Sequence, residues 1–517
     1  MITMSTMMIR LRTTHWAAPV AAALLALSLG AWTFDFKLSI SGDNAEFITL
    51  SRSLAKGEGM SYINLPEPTV STKYPPGFPL ALAPISALFG DSVWGDRAIP
   101  DYVIMKMLVV LTFAGAGACL FLLARDLVGE TGAIAISLVG ITNPLMLSFA
   151  SQVMSEIPYT MWSLLALWLL HRGLAQPGWR DNRWLWAGLA AALMAYYTRS
   201  VGICLIAAVI GLMIMRRDWS RALFATVVCA ATMAPWSIRN YLVGGSLYMD
   251  VLTLGNPYRP ELGRLDLPRL LLRMKIHLGN YLDGHLVEAT LPMFLDVPAI
   301  ISVLAVVLAS ASIVISVYCL WRRRHLLLWL YCALVTITLL LWPWSGPRFL
   351  VPIIPICCLL TVDVATEIAS RIKARGSHLF RYLGGAAVAV VVLFNAYAMI
   401  GLWSQSSADY VPRWRTYYEA ALWLRATTPE DKIVSCRKPF WMYVVSGRRS
   451  MAFAFDKPEV LLAQLERDGI DYVIVDQLGA PQTDEFLVPA IYSDEGRFRE
   501  VYIAPRPTTW VLSFDAD

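Results

Sequence analysis

Residues 184–215 read WLWAGLAAALMAYYTRSVGICLIAAVIGLMIM, two apolar runs joined by a turn that holds one charged residue, Arg199. Runs of this kind predict helices that cross a membrane, since a span needs roughly 20 mostly apolar residues. Placing an ionised group near hydrocarbon costs roughly 2.5–3.5 kcal/mol on insertion scales, so such residues are usually functional. Arg199 is therefore a first candidate site residue.

The apolar character extends over the whole chain. Hydrophobic residues make up 57% and charged residues 16% of it, whereas soluble domains have about 25% charged residues. The sequence therefore predicts an α-helical polytopic membrane protein. Its eleven candidate transmembrane helices are 16–34, 103–124, 132–149, 157–171, 184–198, 201–215, 222–238, 298–320, 326–342, 350–367 and 383–402.

Basic residues indicate the orientation of these spans. With the N-terminus inside, the short inner connections hold arginine clusters such as 216–217 and 322–324, whereas the short outer connections hold only Arg199 and Arg348. Positive charge is retained in the cytoplasm. We predict a multi-pass protein of the inner, cytoplasmic membrane with a cytoplasmic N-terminus and an extracytoplasmic C-terminus. The net charge of +5 then reflects topology and does not indicate nucleic-acid binding.

The chain divides into two predicted parts. Residues 1–403 form the transmembrane module, with outer loops at 35–102 and 239–297. In residues 404–517 the charge rises and the long apolar runs stop, which predicts a small outer α/β domain. Within it, 471–476 is an apolar run bounded by acids, as in a buried parallel strand.

Three acids lie at predicted helix starts on the outer side. Asp43 and Glu46 have the spacing of a capping box, and Glu156 directly precedes the fourth span. Helix capping is one interpretation of these acids, because Asp is a favoured N-cap and Glu three residues later can complete the box. Catalysis or substrate binding is the other interpretation.

Four cations lie on the same side as these acids. Arg199 and Arg348 occupy outer turns, Arg239 ends the seventh span, and Lys73 stands beside the rigid segment 74–76. Interfacial anchoring, with the charged head reaching water, explains any one of them alone. It does not explain all of them together with the acids. Since guanidinium is the preferred bidentate partner of phosphate, the set indicates a site for a phosphate-bearing substrate.

The order of these motifs resembles a known superfamily. In sequence they are Asp43, Pro75-Pro76-Gly77, Ser155-Glu156-Ile157-Pro158, Thr198-Arg199, Pro235-Trp236-Ser237-Ile238-Arg239-Asn240-Tyr241 and Pro347-Arg348-Phe349-Leu350-Val351-Pro352. Over residues 35–360 the chain is similar to the GT-C superfamily of polyprenyl-phosphate-sugar-dependent glycosyltransferases. The closest branch includes protein O-mannosyltransferases and lipid A aminoarabinose transferases.

The resemblance implies a role for each candidate residue. Asp43 matches the first-loop acid proposed as the catalytic base, and Glu156, the second catalytic candidate, matches the second-loop acid. Many relatives have a second acid directly after the first, whereas here Asn44 intervenes before Glu46. The other substrate-binding candidates are Lys73 and Tyr74, which precede the proline pair, and Arg199, Arg239 and Arg348. Phe349 stands where the family usually has tyrosine.

The function implied is a transferase reaction in cell-envelope glycosylation. A sugar moves from a polyprenyl-phosphate donor to an acceptor hydroxyl by direct, inverting displacement, with membrane lipid as the surroundings. The acceptor remains open among protein, lipid A, another glycolipid and a polysaccharide. No cofactor is required by this chemistry, a divalent metal stays an open alternative, and the sequence shows neither a P-loop nor a D-x-D motif.

Two other functions remain open from the sequence. A transporter or flippase for a lipid-linked or anionic substrate is also a many-span protein with embedded charges. Transporters, however, usually hold these charges near the bilayer midplane, often in repeated halves, and no repeat is apparent here. An assembly scaffold is the third reading, and it leaves the proline-rich loop and the rim arginines without a role.

Overall fold

The computed structural model describes residues 16–90, 100–244, 251–255, 263–292, 298–322, 325–372 and 379–515. Most of these residues are helical. The helices are α1 Ala17–Trp32, α2 Gly42–Ala55, α3 Gly77–Phe89, α4 Asp101–Ile141, α5 Pro144–Ala150, α6 Glu156–Leu174, α7 Arg183–Thr198, α8 Ile203–Met215, α9 Trp219–Val243, α10 Leu267–Asn280, α11 Leu286–Thr290, α12 Pro298–Arg322, α13 Leu326–Leu341, α14 Ile354–Ile372, α15 Leu379–Ser407, α16 Pro412–Thr427, α17 Pro439–Ser446, α18 Pro458–Arg467 and α19 Val488–Ser493. The strands are β1 Ser61–Tyr62, β2 Thr69–Val70, β3 Ile433–Ser435, β4 Arg449–Met451, β5 Tyr472–Val475, β6 Phe498–Ala504 and β7 Thr509–Phe514.

The predicted apolar stretches fall on helices of this fold. Four helical stretches among the described residues are long and apolar enough to cross a membrane, namely Asp101–Ile141, Trp219–Val243, Ile300–Cys319 and Gly384–Thr427. Five shorter apolar helices accompany them, at Ala17–Trp32, Gly77–Phe89, Ser200–Met215, Leu326–Leu341 and Ile354–Val364. A mostly helical fold is therefore confirmed, while the number of eleven spans stays a prediction.

The second and third predicted stretches share one helix. α4 is interrupted at Gly129, whose φ of 81° and ψ of 178° are not helical. A positive φ is readily available only to glycine, so the direction of the chain changes there. The predicted stretch 132–149 itself divides at Asn143, whose side chain accepts a hydrogen bond from the backbone of Met146 and starts α5.

A buried lysine fixes the beginning of the first outer loop. Lys106 of α4 is 0% exposed, and its ammonium donates to the carbonyls of Asp35, at 2.8 Å, and Lys37. α2 follows and ends at Ala55, before Gly57 and Gly59, both of positive φ. The two glycines reverse the chain into the β1–β2 hairpin.

α10 is an amphipathic helix in the predicted second outer loop. Its exposed face carries Leu267, Leu271 and Leu272. Arg273, however, is buried, and its guanidinium donates to backbone carbonyls that include Leu252 at 3.2 Å. The apolar side chains therefore face outward and a cation faces inward, as expected for a helix whose outer surroundings are lipid.

The C-terminal domain contains a five-stranded sheet of order β4-β3-β5-β7-β6. β4, β3 and β5 run parallel, and β7 joins β5 and β6 in antiparallel fashion. The predicted buried parallel strand is β5, of which Val473 and Ile474 are 0% exposed. The α/β class is confirmed for this domain, although the sequence did not predict α17 or the β6–β7 hairpin.

This domain is joined directly to residues 35–102, the predicted first outer loop. Asn64 is fully buried, accepts a 2.5 Å hydrogen bond from the backbone N–H of Ser450 and donates its amide to the Ser450 carbonyl at 2.9 Å. Ser450 lies in β4, the edge strand, so the loop satisfies polar groups that an edge would otherwise expose. α17 packs beside α2, and Arg52 donates to the carbonyl of Val444 at 3.4 Å.

Candidate functional site

Asp43 lies in the first turn of α2 and is held between two cations. The N-cap position belongs to Ser41, so the capping interpretation of Asp43 is wrong. Arg348 donates from Nη1 to Oδ2 at 2.8 Å, and Lys73 Nζ is 3.7 Å from Oδ1. Burial raises the pKa of Asp43, but the charges of Arg348 and Lys73 outweigh it, so the pKa lies below its usual value. Asp43 is therefore ionised at neutral pH.

Glu46 lies one helical turn further along α2 and is buried. Its Oε1 accepts from the Tyr62 hydroxyl at 2.5 Å, and its Oε2 accepts from Lys73 at 2.6 Å and from the Tyr74 hydroxyl at 3.0 Å. Every donor comes from the first outer loop itself. The carboxylate of Glu46 therefore holds this loop against α2 and positions Lys73 beside Asp43.

A second ion pair joins the neighbouring helices α6 and α7. Glu156 is the first residue of α6, after Ser155 at the N-cap, and Arg199 follows the last residue of α7. Arg199 Nη1 lies 2.8 Å from Glu156 Oε1 and donates to Ser155 Oγ at 3.0 Å. Both Glu156 oxygens are buried, and neither has an aligned hydrogen bond from the described residues. This carboxylate keeps capacity to accept one.

The ring of Phe349 lies between the two ion pairs. Arg348 Cζ is 4.7 Å from its centroid and Arg199 Cζ is 6.0 Å away. Cations within about 6 Å of an aromatic face are attracted by the ring. Phe349 thus brings both guanidinium groups to one place without needing the hydroxyl of a tyrosine.

Arg239 is placed differently from the other predicted cations. It donates from Nη1 to the Ser71 carbonyl at 2.6 Å and to Asn240 Oδ1 at 2.8 Å, and its Cζ lies 4.7 Å from the Trp236 ring. Ser71 Oγ in turn donates to the Tyr62 hydroxyl at 2.9 Å. The described contacts of Arg239 are therefore to the backbone of the first loop and not to the carboxylates.

Gly77 allows the proline-rich motif to pack closely against the end of α7. A Cβ at this position would lie 2.7 Å from the backbone oxygen of Tyr197, near the end of α7. Only glycine permits that approach, which brings the start of α3 against the helix end that carries Arg199. The Pro75-Pro76 turn and the Arg199 turn are thereby held side by side.

Several residues of the site were not predicted from the sequence. Tyr62 carries no local signal, since hydroxyl side chains are common in loops, and Ser155 appeared only as part of the motif around Glu156. Phe349 appeared only as a departure from the family pattern, and the neighbourhood of the outer domain was not predicted at all. In the described ranges, no three His, Cys, Asp or Glu side chains are grouped so that they could hold a metal ion.

Comparisons with known proteins concern the sequence and the fold. The model of the dolichyl-phosphate-mannose-protein mannosyltransferase family matches residues 73–238. That segment contains Lys73, Glu156 and Arg199, and it leaves out Asp43 and Arg348. No curated protein sequence matches the chain significantly.

Solved structures match almost the whole chain. ArnT from Cupriavidus metallidurans bound to undecaprenyl phosphate is 15% identical, with a TM-score of 0.60 over 96% of this chain and 98% of that one. The archaeal oligosaccharyltransferase AglB from Archaeoglobus fulgidus, in complex with an inhibitory peptide and a dolichol-phosphate, is 13% identical, with a TM-score of 0.60 over 95% of this chain and 73% of that one. The chain therefore has the GT-C fold, and its resemblance to polyprenyl-phosphate-sugar-dependent glycosyltransferases is confirmed.

Proposed function

We propose that this protein is a membrane glycosyltransferase that moves a sugar from a polyprenyl-phosphate donor to an acceptor hydroxyl on the extracytoplasmic side. The observation that carries the proposal is the placement of Asp43 between Arg348 and Lys73. A carboxylate suits removal of a hydroxyl proton, and the two cations beside it suit a phosphate. The match to ArnT with bound undecaprenyl phosphate supports the class of donor.

The cations would exchange one partner for another during the reaction. In the ligand-free site Arg348 and Lys73 face Asp43. A donor phosphate would compete for both, because charge-assisted bonds to phosphate are among the stronger ones. Once Arg348 and Lys73 pair with the phosphate, burial would raise the pKa of Asp43. The base therefore becomes stronger only when the donor is bound.

The displacement step follows from these positions. The acceptor oxygen forms a bond to the anomeric carbon, its proton passes to Asp43, and the bond from that carbon to the phosphate oxygen breaks. Negative charge develops on the leaving polyprenyl phosphate, where Arg348, Lys73 and Arg199 stabilise it electrostatically. A single displacement inverts the anomeric centre. General-base assistance by a positioned group contributes typically about 10²–10⁴-fold.

Glu156 is assigned to substrate orientation within this scheme. Its Oε1 pairs with Arg199 at 2.8 Å, whereas its buried Oε2 has no hydrogen-bond partner among the described residues, and a buried acceptor without a donor costs about 1–3 kcal/mol. A hydroxyl of the bound sugar would remove that cost. Arg239 is assigned to positioning the first loop through Ser71, and Glu46 to positioning Lys73 and Tyr74.

The test is sugar release by the purified full-length protein in liposomes that contain defined polyprenyl-phosphate sugars. We expect slow hydrolysis to water, and faster transfer once a suitable acceptor is added, with an inverted anomeric configuration in the product. If no donor is cleaved and labelled donor instead crosses the bilayer intact, the protein is a transporter and the proposal is wrong.

A further inference from the structure

The outer domain brings one of its loops to the acids of α2. α17 runs beside α2 in the same direction, because Phe440 near its start contacts Tyr62, with ring centroids 5.1 Å apart, and Val444 near its end contacts Arg52. Tyr62 is the residue that donates to Glu46. The residue before α17, Lys438, therefore lies at the end of α2 that carries Asp43 and Glu46.

The same loop lies at the carboxyl edge of the parallel strands. β3 ends at Ser435 and β5 ends at Val475, and the two strands run parallel, so Lys438 and Asp476 follow them at one edge. Ligands of open α/β sheets bind outside this edge. The fully buried hydroxyl of Ser435, near this edge, has no hydrogen-bond partner among the described residues. This edge therefore retains unused polar capacity.

The ammonium of Lys438 has no direct partner at this position among the described residues. Its side chain is half-buried, and within the described part of the chain its ammonium makes no hydrogen bond or ion pair. Burial lowers its pKa, Arg437 adds to the effect, and the charges of Asp476 and Asp43 oppose it. A half-buried cation without a partner is unfavourable unless an anion binds to it.

We propose that Lys438 is an acceptor-binding residue, whose ammonium holds a phosphate or carboxylate group that the acceptor carries near its reacting hydroxyl. This inference rests on the proposed function and specifies its substrate class. The donor is anchored in the membrane by its lipid, so its phosphate belongs to the cations at the helix ends. Lys438 belongs to the outer domain, which the sequence predicts to lie outside the membrane, so it is the cation that meets an acceptor arriving from water.

The first experiment measures protection of the Lys438 amine from an acylating reagent, by mass spectrometry of the full-length protein in lipid nanodiscs. The donor site is first filled with polyprenyl phosphate. Glucose 6-phosphate, glucuronate and glucose are then compared. We expect at least one anionic sugar to slow modification of Lys438 by about tenfold, as one charge-assisted contact would, and glucose to have no effect. Lys457, exposed in the same domain, is the internal control.

Two results would overturn the assignment. If polyprenyl phosphate alone protects Lys438, the residue belongs to the donor side. If the anionic sugars protect no better than glucose, or protect Lys457 equally, there is no anion site at this loop.

The second experiment separates this inference from the proposed function. Donor binding needs no acceptor, so Lys438→Gln should bind polyprenyl phosphate with the affinity of the wild-type protein. A substantial loss of that affinity would place Lys438 on the donor side instead. If the wild-type protein itself hydrolyses no donor, the proposed function fails, whereas the protection data still judge the anion site on their own.

Discussion

At the residue scale, the carboxylate of Asp43 is the group on which the proposed chemistry depends most. Asp43→Asn keeps the shape of the side chain and its place in the first turn of α2, but removes the proton acceptor. We expect near-complete loss of sugar transfer with donor binding retained. The measurement is transfer rate beside donor affinity and a melting curve. Substantial remaining activity would show that Asp43 has only a structural role.

Substitutions of the site arginines distinguish membrane anchoring from phosphate binding. If Arg199 and Arg348 were interfacial anchors, lysine would replace them well. A lysine lacks the planar fork that binds phosphate bidentately. We therefore expect Arg199→Lys and Arg348→Lys to weaken donor binding about ten- to a hundredfold while thermal stability stays near wild type. Unchanged donor affinity in both variants would contradict the assignment.

The low pKa of Asp43 predicts a defined pH dependence. The folded-state pKa lies below the ordinary 3.8, so the stabilisation from its ion pairs is present above that value and is lost as pH falls through the folded pKa. Arg348→Gln removes the charge that lowers the pKa of Asp43 most. Burial, which raises this pKa, then has more effect. We expect the acid limb of the pH–rate profile to move to higher pH in this variant.

The matched control for this profile is Arg415→Gln. Arg415 is an exposed arginine that pairs with Asp409 and Glu419, away from the site. Its replacement should leave the acid limb where it is in the wild-type protein. An unmoved limb in Arg348→Gln as well would show that Asp43 does not control the rate.

At the element scale, the contact between α3 and α7 determines how the two outer turns meet. Gly77→Ala would place a methyl group against the Tyr197 backbone, which cannot yield as a flexible side chain could. We expect a lower melting temperature and weaker donor binding, since Lys73 and Arg199 would move apart. Gly211→Ala, in α8 with nothing within 4 Å of the added atom, should be tolerated. Equal tolerance at both positions would contradict this role for Gly77.

The elements also show how far sequence reasoning reaches. Apolar run length and charge at the ends of runs were enough to predict most of the long apolar helices and to gather Asp43, Glu156, Arg199 and Arg348 on one side. They could not predict that Arg239 binds loop carbonyls, because these carbonyls and the site carboxylates lie on the same predicted side of the membrane. They also could not predict Lys438, whose position depends on packing between segments far apart in the chain.

At the scale of the whole molecule, the orientation in the membrane remains to be measured. The bias of basic residues predicts that residues 404–517 lie outside the cytoplasm, on the same side as the site. A C-terminal reporter that is active only in the cytoplasm should therefore be silent, and the same reporter fused after residue 217, beside an inner arginine cluster, should be active. Strong activity from the C-terminal fusion would reverse the predicted orientation.

The pairing of Asn64 with Ser450 limits how the protein could be recombined with its relatives. Part of the outer sheet's edge is completed by a residue of the membrane module, and Lys37 further holds the carbonyls of Gln405 and Ser406 at 3.3 and 3.0 Å. A chimaera that exchanged only the C-terminal domain would leave Asn64 buried against a foreign strand. The first loop and the outer domain therefore have to be exchanged together. Changes in acceptor preference would have to arise in both of them.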